Sequence, residues 1–333
     1  MASIEETTGR ERNDSLRGAV AVVTGASGGI GSLTAIKLAR RGAQVAVSSR
    51  SEDQLKRVAA ECIQAGGSAA VFPADVSKPD DVKRLAENVV DRYGRIDLWV
   101  NCAATALFSH FGEEPLSDYR RVLETNLFGC IHSARACIPQ FRHQGGGTMI
   151  NVVSVHSRLP AAYLSSYAVA NAGIRSLAAC LRSELQDVPE VRVCNLTAGA
   201  TDTSLFRRAG NYTGQRLTTK VTVHTPEEVA QAIVECAENP KDEQTVSLPP
   251  RMALVGGTLA SRLAERKAEK IVRAGFFTDM AAEPSSGNLF EPVTQIPRRY
   301  EGGTPTGGSR KVAIAASTAG VGILAGLLLW SRR

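Results

Sequence analysis

Short apolar runs alternate with longer stretches of helical periodicity through residues 17–250 of this 333-residue chain. The apolar runs predict buried strands, and they read AVAVVTG, AQVAVSS, AAVFPAD, IDLWVNCA, TMINVVS and VRVCNLT. The stretches between them predict helices over residues 30–41, 52–65, 79–93, 117–143 and 164–187. Continuous apolar strands separated by helices are typical of a parallel sheet that is covered on both faces. The pattern therefore predicts a doubly wound α/β fold.

The composition changes on either side of this region. Residues 1–16 are polar and of mixed charge, which predicts a flexible tail rather than a signal peptide. Residues 251–280 predict a basic helix, which either lies on an anionic surface or closes the domain with a solvated face. Residues 281–311 are rich in Pro, Gly and Ser, which predicts a linker with little structure of its own.

Residues 312–330 form an uninterrupted run of nineteen residues without a charge. As a helix this run would extend about 28 Å, close to the ~30 Å of a bilayer's hydrocarbon core. Basic pairs flank the run on both sides, and Trp330 suits a membrane interface. The run predicts a single-pass C-terminal transmembrane helix. The alternatives are a helix that is buried in a dimer and a loosely ordered tail.

Charge and cysteine content narrow the class of protein. A net charge of +6 and a pI near 9.0 suit a nucleic-acid binder, a phosphate-binding enzyme or a protein beside an anionic membrane. The basic residues are scattered and no aromatic-lined groove motif accompanies them, so no nucleic-acid partner is predicted. The seven cysteines form no CxxC pair and the five histidines lack metal-ligand spacing, so no metal site is predicted. Dispersed cysteines indicate reduced thiols in the cytoplasm.

A glycine-rich turn directly follows the first predicted strand. It reads Thr24-Gly-Ala-Ser-Gly-Gly-Ile-Gly31 and leads into the first predicted helix. In this context Gly25 permits a tight turn, while Gly29 and Gly31 allow backbone and helix to approach closely. The unpaired N–H groups at the helix N-terminus attract a pyrophosphate. The turn therefore predicts a dinucleotide site.

The form TGxxxGxG resembles the short-chain dehydrogenase/reductase family, and other motifs of that family follow in order over residues 17–250. The resemblance implies a Rossmann-type dinucleotide-binding and catalytic domain with seven parallel strands, which acts on a small carbonyl or alcohol substrate. The predicted membrane anchor favours lipophilic substrates, which dissolve in the bilayer. The resemblance also implies a homo-oligomer. Cofactor contacts are implied for Gly25, Ser27, Gly29, Ile30, Gly31, Asp75, Val76, Asn101, Ala103 and Thr203. Two of these motifs are incomplete: Asn101-Cys-Ala-Ala104 stands for NNAG, and the proline of PGxxxT is missing before Gly199.

The same resemblance implies a catalytic group of Asn126, Ser154 and Tyr167. Tyr167 would exchange a proton with the substrate oxygen, and Ser154 would orient that oxygen. The family's lysine, four residues after the tyrosine, is replaced here by Asn171. Asparagine can hydrogen-bond a ribose hydroxyl but brings no charge to lower the pKa of the tyrosine. An enzyme of reduced efficiency and a dinucleotide-binding protein that lost turnover both stay open.

Cofactor choice depends on the end of the second strand, which reads Ser48-Ser49-Arg50. No acidic residue is present there to bind the ribose diol of NAD(H). Arg50 can pair with a 2′-phosphate, so NADP(H) is the predicted cofactor and NAD(H) the alternative. Two further predictions concern the substrate: residues 201–222 form a lid, and His156 borders the pocket.

The predicted anchor places this protein on a membrane with its catalytic domain in the cytoplasm. We expect the full-length protein in the membrane fraction after detergent-free lysis, and in the soluble fraction once detergent is added. Immunoblotting of the two fractions measures this. Full-length protein that stays in the soluble fraction without detergent would exclude the anchor.

Overall fold

The computed structural model describes residues 16–159, 161–219, 224–246, 269–270 and 272–292. Its main feature is a sheet of seven parallel strands in the order β10-β7-β6-β4-β1-β2-β3. The strands are β1 (Val20–Thr24), β2 (Gln44–Ser48), β3 (Ser68–Val71), β4 (Leu98–Asn101), β6 (Gly147–Ser154), β7 (Val191–Ala198) and β10 (Glu243–Thr245). The predicted parallel α/β sheet and its seven strands are thus confirmed.

Helices cover both faces of the sheet, as the sequence pattern predicts. One face packs against α1 (Gly29–Arg40), α2 (Glu52–Gln64) and α8 (Pro226–Glu238). The other face packs against α3 (Pro79–Tyr93), α5 (Gly129–Gln144) and α6 (Ser165–Glu184). A helix α4 (Leu116–Leu123) continues through a π-helical turn (Glu124–Phe128) into α5. Sequence also marks where α8 begins: Thr225 and Glu228 form a capping box, and Pro226 occupies the first turn.

A row of buried amides runs across the sheet within this apolar core. Asn101, Asn151 and Asn195 stand side by side on β4, β6 and β7. Asn101 Nδ2 donates to Asn151 Oδ1 at 2.9 Å, and Asn151 Nδ2 donates to Asn195 Oδ1 at 3.2 Å. Asn195 Nδ2 donates to the Glu243 carboxylate at 2.9 Å. Each amide donates a hydrogen bond to the next group in the row, so these polar groups in the interior of the sheet are paired.

Short elements outside the main sheet pack over its carboxyl edge. They are β5 (Leu107–Phe108), α7 (Ser204–Arg207), β8 (Gly210–Asn211), β9 (Gln215–Leu217) and β11 (Phe277–Ala281). β5 pairs with β8 in parallel, and β11 pairs with β9 in antiparallel orientation.

The predicted boundaries after residue 250 need correction. Residues 272–276 are helical, but residues 277–281 are a strand rather than the end of the basic helix. The first residues of the predicted linker are packed against the domain: Leu289 is 1% exposed. The prediction of little structure is therefore wrong for these residues. It was based on Pro/Gly/Ser composition, which gives no information about tertiary contacts.

Several predicted segments lie outside the described residues. They are almost all of the N-terminal tail, the first part of the basic helix, the linker from residue 293 and the membrane helix at 312–330. Within the described part of the chain, none of the helices has the length and apolar character needed to cross a bilayer.

The amide row generates a stability prediction. Asn151→Leu leaves a buried donor on Asn101 and a buried acceptor on Asn195 without partners. We expect a loss of about 1–3 kcal/mol in the free energy of unfolding, measured by urea denaturation. The matched control is Asn239→Leu at an exposed position, which should change that free energy by about 0.5 kcal/mol or less. Equal effects of the two substitutions would contradict the role of the row.

Candidate active site

The glycine turn between β1 and α1 brings three backbone segments into contact. Gly25 has a φ of +68°, and a Cβ built on it would lie 2.6 Å from the backbone of Ala103. A Cβ on Gly31 would lie 2.3 Å from the carbonyl oxygen of Gly25. Both positions therefore require glycine, and α1 begins directly at the carboxyl edge of the sheet. Ser27 and Ile30 lie on this turn, half-buried, with their backbone at the helix N-terminus.

This cradle fits a dinucleotide. The N-terminal turn of α1 contains no acidic residue that would repel a phosphate. Gly29 has a φ of +57°, and a Cβ there would lie 3.6 Å from the Thr203 methyl group. Thr203, at the start of the predicted lid, thus lies against the glycine turn. A residue that lies between the pyrophosphate and the nicotinamide of a bound dinucleotide would have this position.

Arg50 and Asp75 lie together where β2 and β3 end. The Asp75 carboxylate accepts from Ser77 and pairs with Arg121 at 2.9 Å. Although burial opposes ionisation, hydrogen bonds from Arg121 and Ser77 hold the pKa of Asp75 below its ordinary value. Burial lowers the pKa of Arg50, and the Asp75 charge acts against this shift. Val76 is buried beside Gly129, where a Cβ would lie 2.9 Å from a Val76 methyl group.

Two predicted site asparagines use their side chains within the protein. The Asn101 side chain belongs to the amide row and also accepts from the Trp99 indole, so any contact Asn101 makes with a dinucleotide would come from its main chain. The buried Asn126 lies in the π-helical turn, where its Oδ1 accepts from the Thr105 N–H at 2.9 Å. Its Nδ2 donates to the Thr105 carbonyl at 2.8 Å. Asn126 thereby fixes the segment that follows Ala103.

Ser154, Tyr167 and Asn171 converge at the carboxyl end of β6. The Asn171 Oδ1 accepts from the Ser154 N–H at 2.8 Å, and its Nδ2 donates to the Tyr167 carbonyl at 2.9 Å. Asn171 is 4% exposed and Tyr167 7% exposed. One neutral amide therefore joins the strand that carries Ser154 to the helix that carries Tyr167.

The electrostatics of Tyr167 favour its neutral form. Burial raises the pKa of the phenol above its ordinary value, while hydrogen bonds with the side chains of Ser154 and Asn171 act in the opposite direction. Arg175, two turns further along α6, pairs with Glu243 at 3.6 Å. Glu243 is the carboxylate at the end of the amide row. At neutral pH the phenol of Tyr167 therefore carries its proton.

His156 lies next to this group. Its backbone N–H donates to the Ser154 Oγ at 3.2 Å, and its buried Nδ1 has no hydrogen-bond partner within the described structure. Burial lowers the pKa of His156, so the ring is neutral. The unpaired nitrogen is compatible with the predicted position at the pocket border.

Aromatic side chains cover Tyr167. Phe206, from the lid, lies 6.0 Å from the Tyr167 ring, centroid to centroid. Phe108 and Phe276 pack against Phe206, with ring centroids 5.9 and 4.8 Å away. Phe108 also packs against Phe276 and Phe277, at 5.5 and 5.8 Å. That residues 201–222 form a lid stays a prediction, and the sequence did not predict the packing of Phe276 and Phe277 in this group. The only sequence signal is a pair of adjacent phenylalanines after the basic stretch.

Comparison with known proteins identifies the family. A family model described as short chain dehydrogenase matches residues 19–212. The chain belongs to this family. Short-chain dehydrogenases are oxidoreductases, so the predicted enzyme class, action on alcohol and carbonyl groups, is confirmed. The match ends before β11, so the C-terminal elements described above lie outside it.

Individual short-chain dehydrogenases share both sequence and structure with the chain. It is 33% identical over 274 residues to uncharacterized oxidoreductase YxnA of Bacillus subtilis. The aligned region covers 81% of this chain and 76% of that protein. It is 33% identical over 194 residues to 3beta-hydroxysteroid dehydrogenase 1 of Eggerthella lenta, covering 58% and 74%. A metagenomic short-chain oxidoreductase in complex with NADP aligns with a TM-score of 0.61 at 27% identity, covering 70% and 100%.

The uncharged amide of Asn171 leads to a prediction about the pH dependence of this short-chain dehydrogenase. In Asn171→Lys an ammonium four residues from Tyr167 should lower the pKa of the phenol. We expect the alkaline rise of kcat/KM for alcohol oxidation to move down by about 1–3 pH units. Asn171→Met is the matched control, because it also removes the amide but adds no charge. An equal shift in both variants, or in neither, would exclude the electrostatic explanation.

Proposed function

We propose that this short-chain dehydrogenase transfers hydride between NADP(H) and a carbonyl or alcohol substrate, with carbonyl reduction as the favoured direction. The observation that carries the proposal is the hydrogen bond between the Ser154 hydroxyl and the Tyr167 phenol at the carboxyl edge of the sheet, the edge at which the glycine turn also begins. The bound nicotinamide supplies the hydride chemistry. The chain supplies position, exclusion of water and one proton.

The roles of the side chains follow from their chemistry. Ser154 donates a hydrogen bond to the substrate oxygen and stabilises the charge that develops on it. Tyr167 then donates its phenolic proton to that oxygen. Because burial raises the pKa of Tyr167, its proton-bearing form is populated at neutral pH. Alcohol oxidation needs the phenolate instead, which this environment disfavours.

NADP(H) is supported by Arg50, by the lack of an acidic residue at the end of β2, and by the NADP complex of the metagenomic relative. NAD(H) stays the alternative. Asp75 and Val76 would border the adenine, Ser27, Ile30 and Gly29 the pyrophosphate, and Thr203 the nicotinamide.

A lipophilic substrate is supported by the aromatic wall over Tyr167. Phe108, Phe206, Phe276 and Phe277 are all buried, and they present ring faces and edges rather than hydrogen-bonding groups. The similarity to a 3beta-hydroxysteroid dehydrogenase points the same way. The homo-oligomer and the C-terminal membrane anchor with a cytoplasmic catalytic domain stay predictions.

A second candidate function is a dinucleotide-binding protein without efficient turnover. The specific observation in its favour is the buried, uncharged Asn171 in contact with Tyr167. The retained Ser154 and Tyr167 argue against it.

Turnover of a panel of lipophilic ketones with NADPH separates the two candidates. For an enzyme we expect Tyr167→Phe to reduce kcat/KM by about 10²–10⁴-fold and Ser154→Ala by about 10²–10³-fold. NADPH affinity, measured by calorimetry, should change little in either variant. If wild type is as slow as Tyr167→Phe while NADPH still binds, the binding protein is the correct reading. If no nicotinamide nucleotide binds at millimolar concentration, both candidates fail.

A further inference from the structure

The chain beyond the family match folds back over the end of the site that would hold the adenosine. We call residues 285–290 the strap. Leu289 anchors it by packing with Leu107 and Val122 in a small apolar cluster. Asn288 Oδ1 accepts from the Thr105 hydroxyl at 3.1 Å, which adds a polar contact to the segment after β4.

The strap occupies the hydrogen-bond donors of Arg50. One terminal nitrogen of Arg50 donates to the carbonyls of Leu289 at 3.0 Å and Phe290 at 2.8 Å. The other donates to the carbonyl of Asn288 at 2.9 Å. Three backbone carbonyls thus engage the guanidinium edge that a 2′-phosphate would need for a bidentate contact.

A second arginine also binds the strap. Arg121 Nε donates to the Leu289 carbonyl at 3.0 Å, and its guanidinium lies 5.8 Å from the centre of the Phe290 ring. The same residue pairs with Asp75. The strap therefore bridges two cations at the adenosine end of the site.

The strap is also joined to the lid. The Asn288 N–H donates to the Arg208 carbonyl at 2.9 Å. Ser285 and Asn211 exchange two backbone hydrogen bonds, at 2.7 and 2.9 Å. A Cβ on Gly287 would lie 2.3 Å from the Arg208 carbonyl oxygen, so the two segments are in close contact.

We propose that the strap selects the cofactor: NADP(H) must displace it from Arg50 before binding, whereas NAD(H) need not. The inference rests on the proposed function. Carbonyl oxygens only accept hydrogen bonds, so they repel the oxygens of a 2′-phosphate. They are compatible with the 2′-hydroxyl of NAD(H), which can donate to them.

The contacts that Arg50 loses on displacement of the strap are replaced by contacts with the phosphate. Arg50 exchanges three neutral acceptors for a dianion, and charge-assisted hydrogen bonds are about twice as strong as neutral ones. The apparent affinity for NADP(H) is reduced by the fraction of molecules in which the strap is bound. Leu289 sets that fraction, because its burial anchors the strap.

The test uses the full chain and calorimetric titration with NADPH and NADH. In Leu289→Ser the strap loses its anchor, so we expect the Kd for NADPH to fall about tenfold while the Kd for NADH stays unchanged. Met280→Ser is the control, since Met280 is exposed on β11 in the same C-terminal segment. It should change neither Kd. Arg50→Ala should remove the difference between the two nucleotides.

Hydrogen exchange on the wild type gives a readout that does not depend on a folded variant. NADPH, but not NADH, should speed exchange of the amides of Ser285, Asn288 and Leu289. Slower exchange with NADPH, or weaker NADPH binding in Leu289→Ser, would show that the strap belongs to the bound site and overturn the inference alone. If neither nucleotide binds wild type or variant at millimolar concentration, the proposed function falls as well.

Discussion

The candidate site depends on the side-chain amide of Asn171, which connects a strand to a helix. It accepts from the Ser154 N–H and donates to the Tyr167 carbonyl, so it fixes the distance between the two groups that would act on a substrate. Since the amide is buried, water does not compete for these bonds. The parallel sheet delivers Ser154 to this place, because the carboxyl ends of β1, β4 and β6 meet at one edge.

Segments that come late in the chain pack over this edge. The lid places Phe206 against Tyr167, while Phe276 and Phe277 pack behind it. The strap is hydrogen-bonded to the lid at Arg208 and to Arg50 at the adenosine end. Residues 285–290 therefore contact both Arg50 and the segment that carries Phe206.

Much of the fold could be predicted because it depends on local signals. Strands such as Val20–Thr24 are continuous apolar runs, Gly25 and Gly31 mark a turn that admits no Cβ, and Thr225 with Pro226 marks a helix start. The site residues Ser154, Tyr167 and Asn171 were predicted because their spacing resembles that of the short-chain dehydrogenase family, and the structure brings the three together. Sequence even contained a sign of the amide row, since three apolar strands each carry one asparagine.

The strap could not be predicted by the same means. Arg50 has the position of a phosphate-binding arginine, and nothing local indicates that a segment more than two hundred residues later supplies acceptors to it. Residues 281–292 have the composition of a linker, and Leu289 and Phe290 are two large apolar residues in an otherwise mostly polar stretch. Their order comes from tertiary contacts: one buried leucine, two arginines and a pair of backbone bonds to Asn211.

The missing lysine weakens the site by an amount that can be bounded. A cation beside the phenol typically shifts its pKa by about 1–3 units, which corresponds to about 1.4–4 kcal/mol. Hydrogen bonds from neutral donors to a charged group contribute about 1.5–3 kcal/mol each. Ser154 and Asn171 both contact Tyr167, so they can offset a large part of that loss when the phenol gives up its proton. The balance favours a working acid in the reducing direction, because only the product of that step, and not the resting site, has to carry the charge.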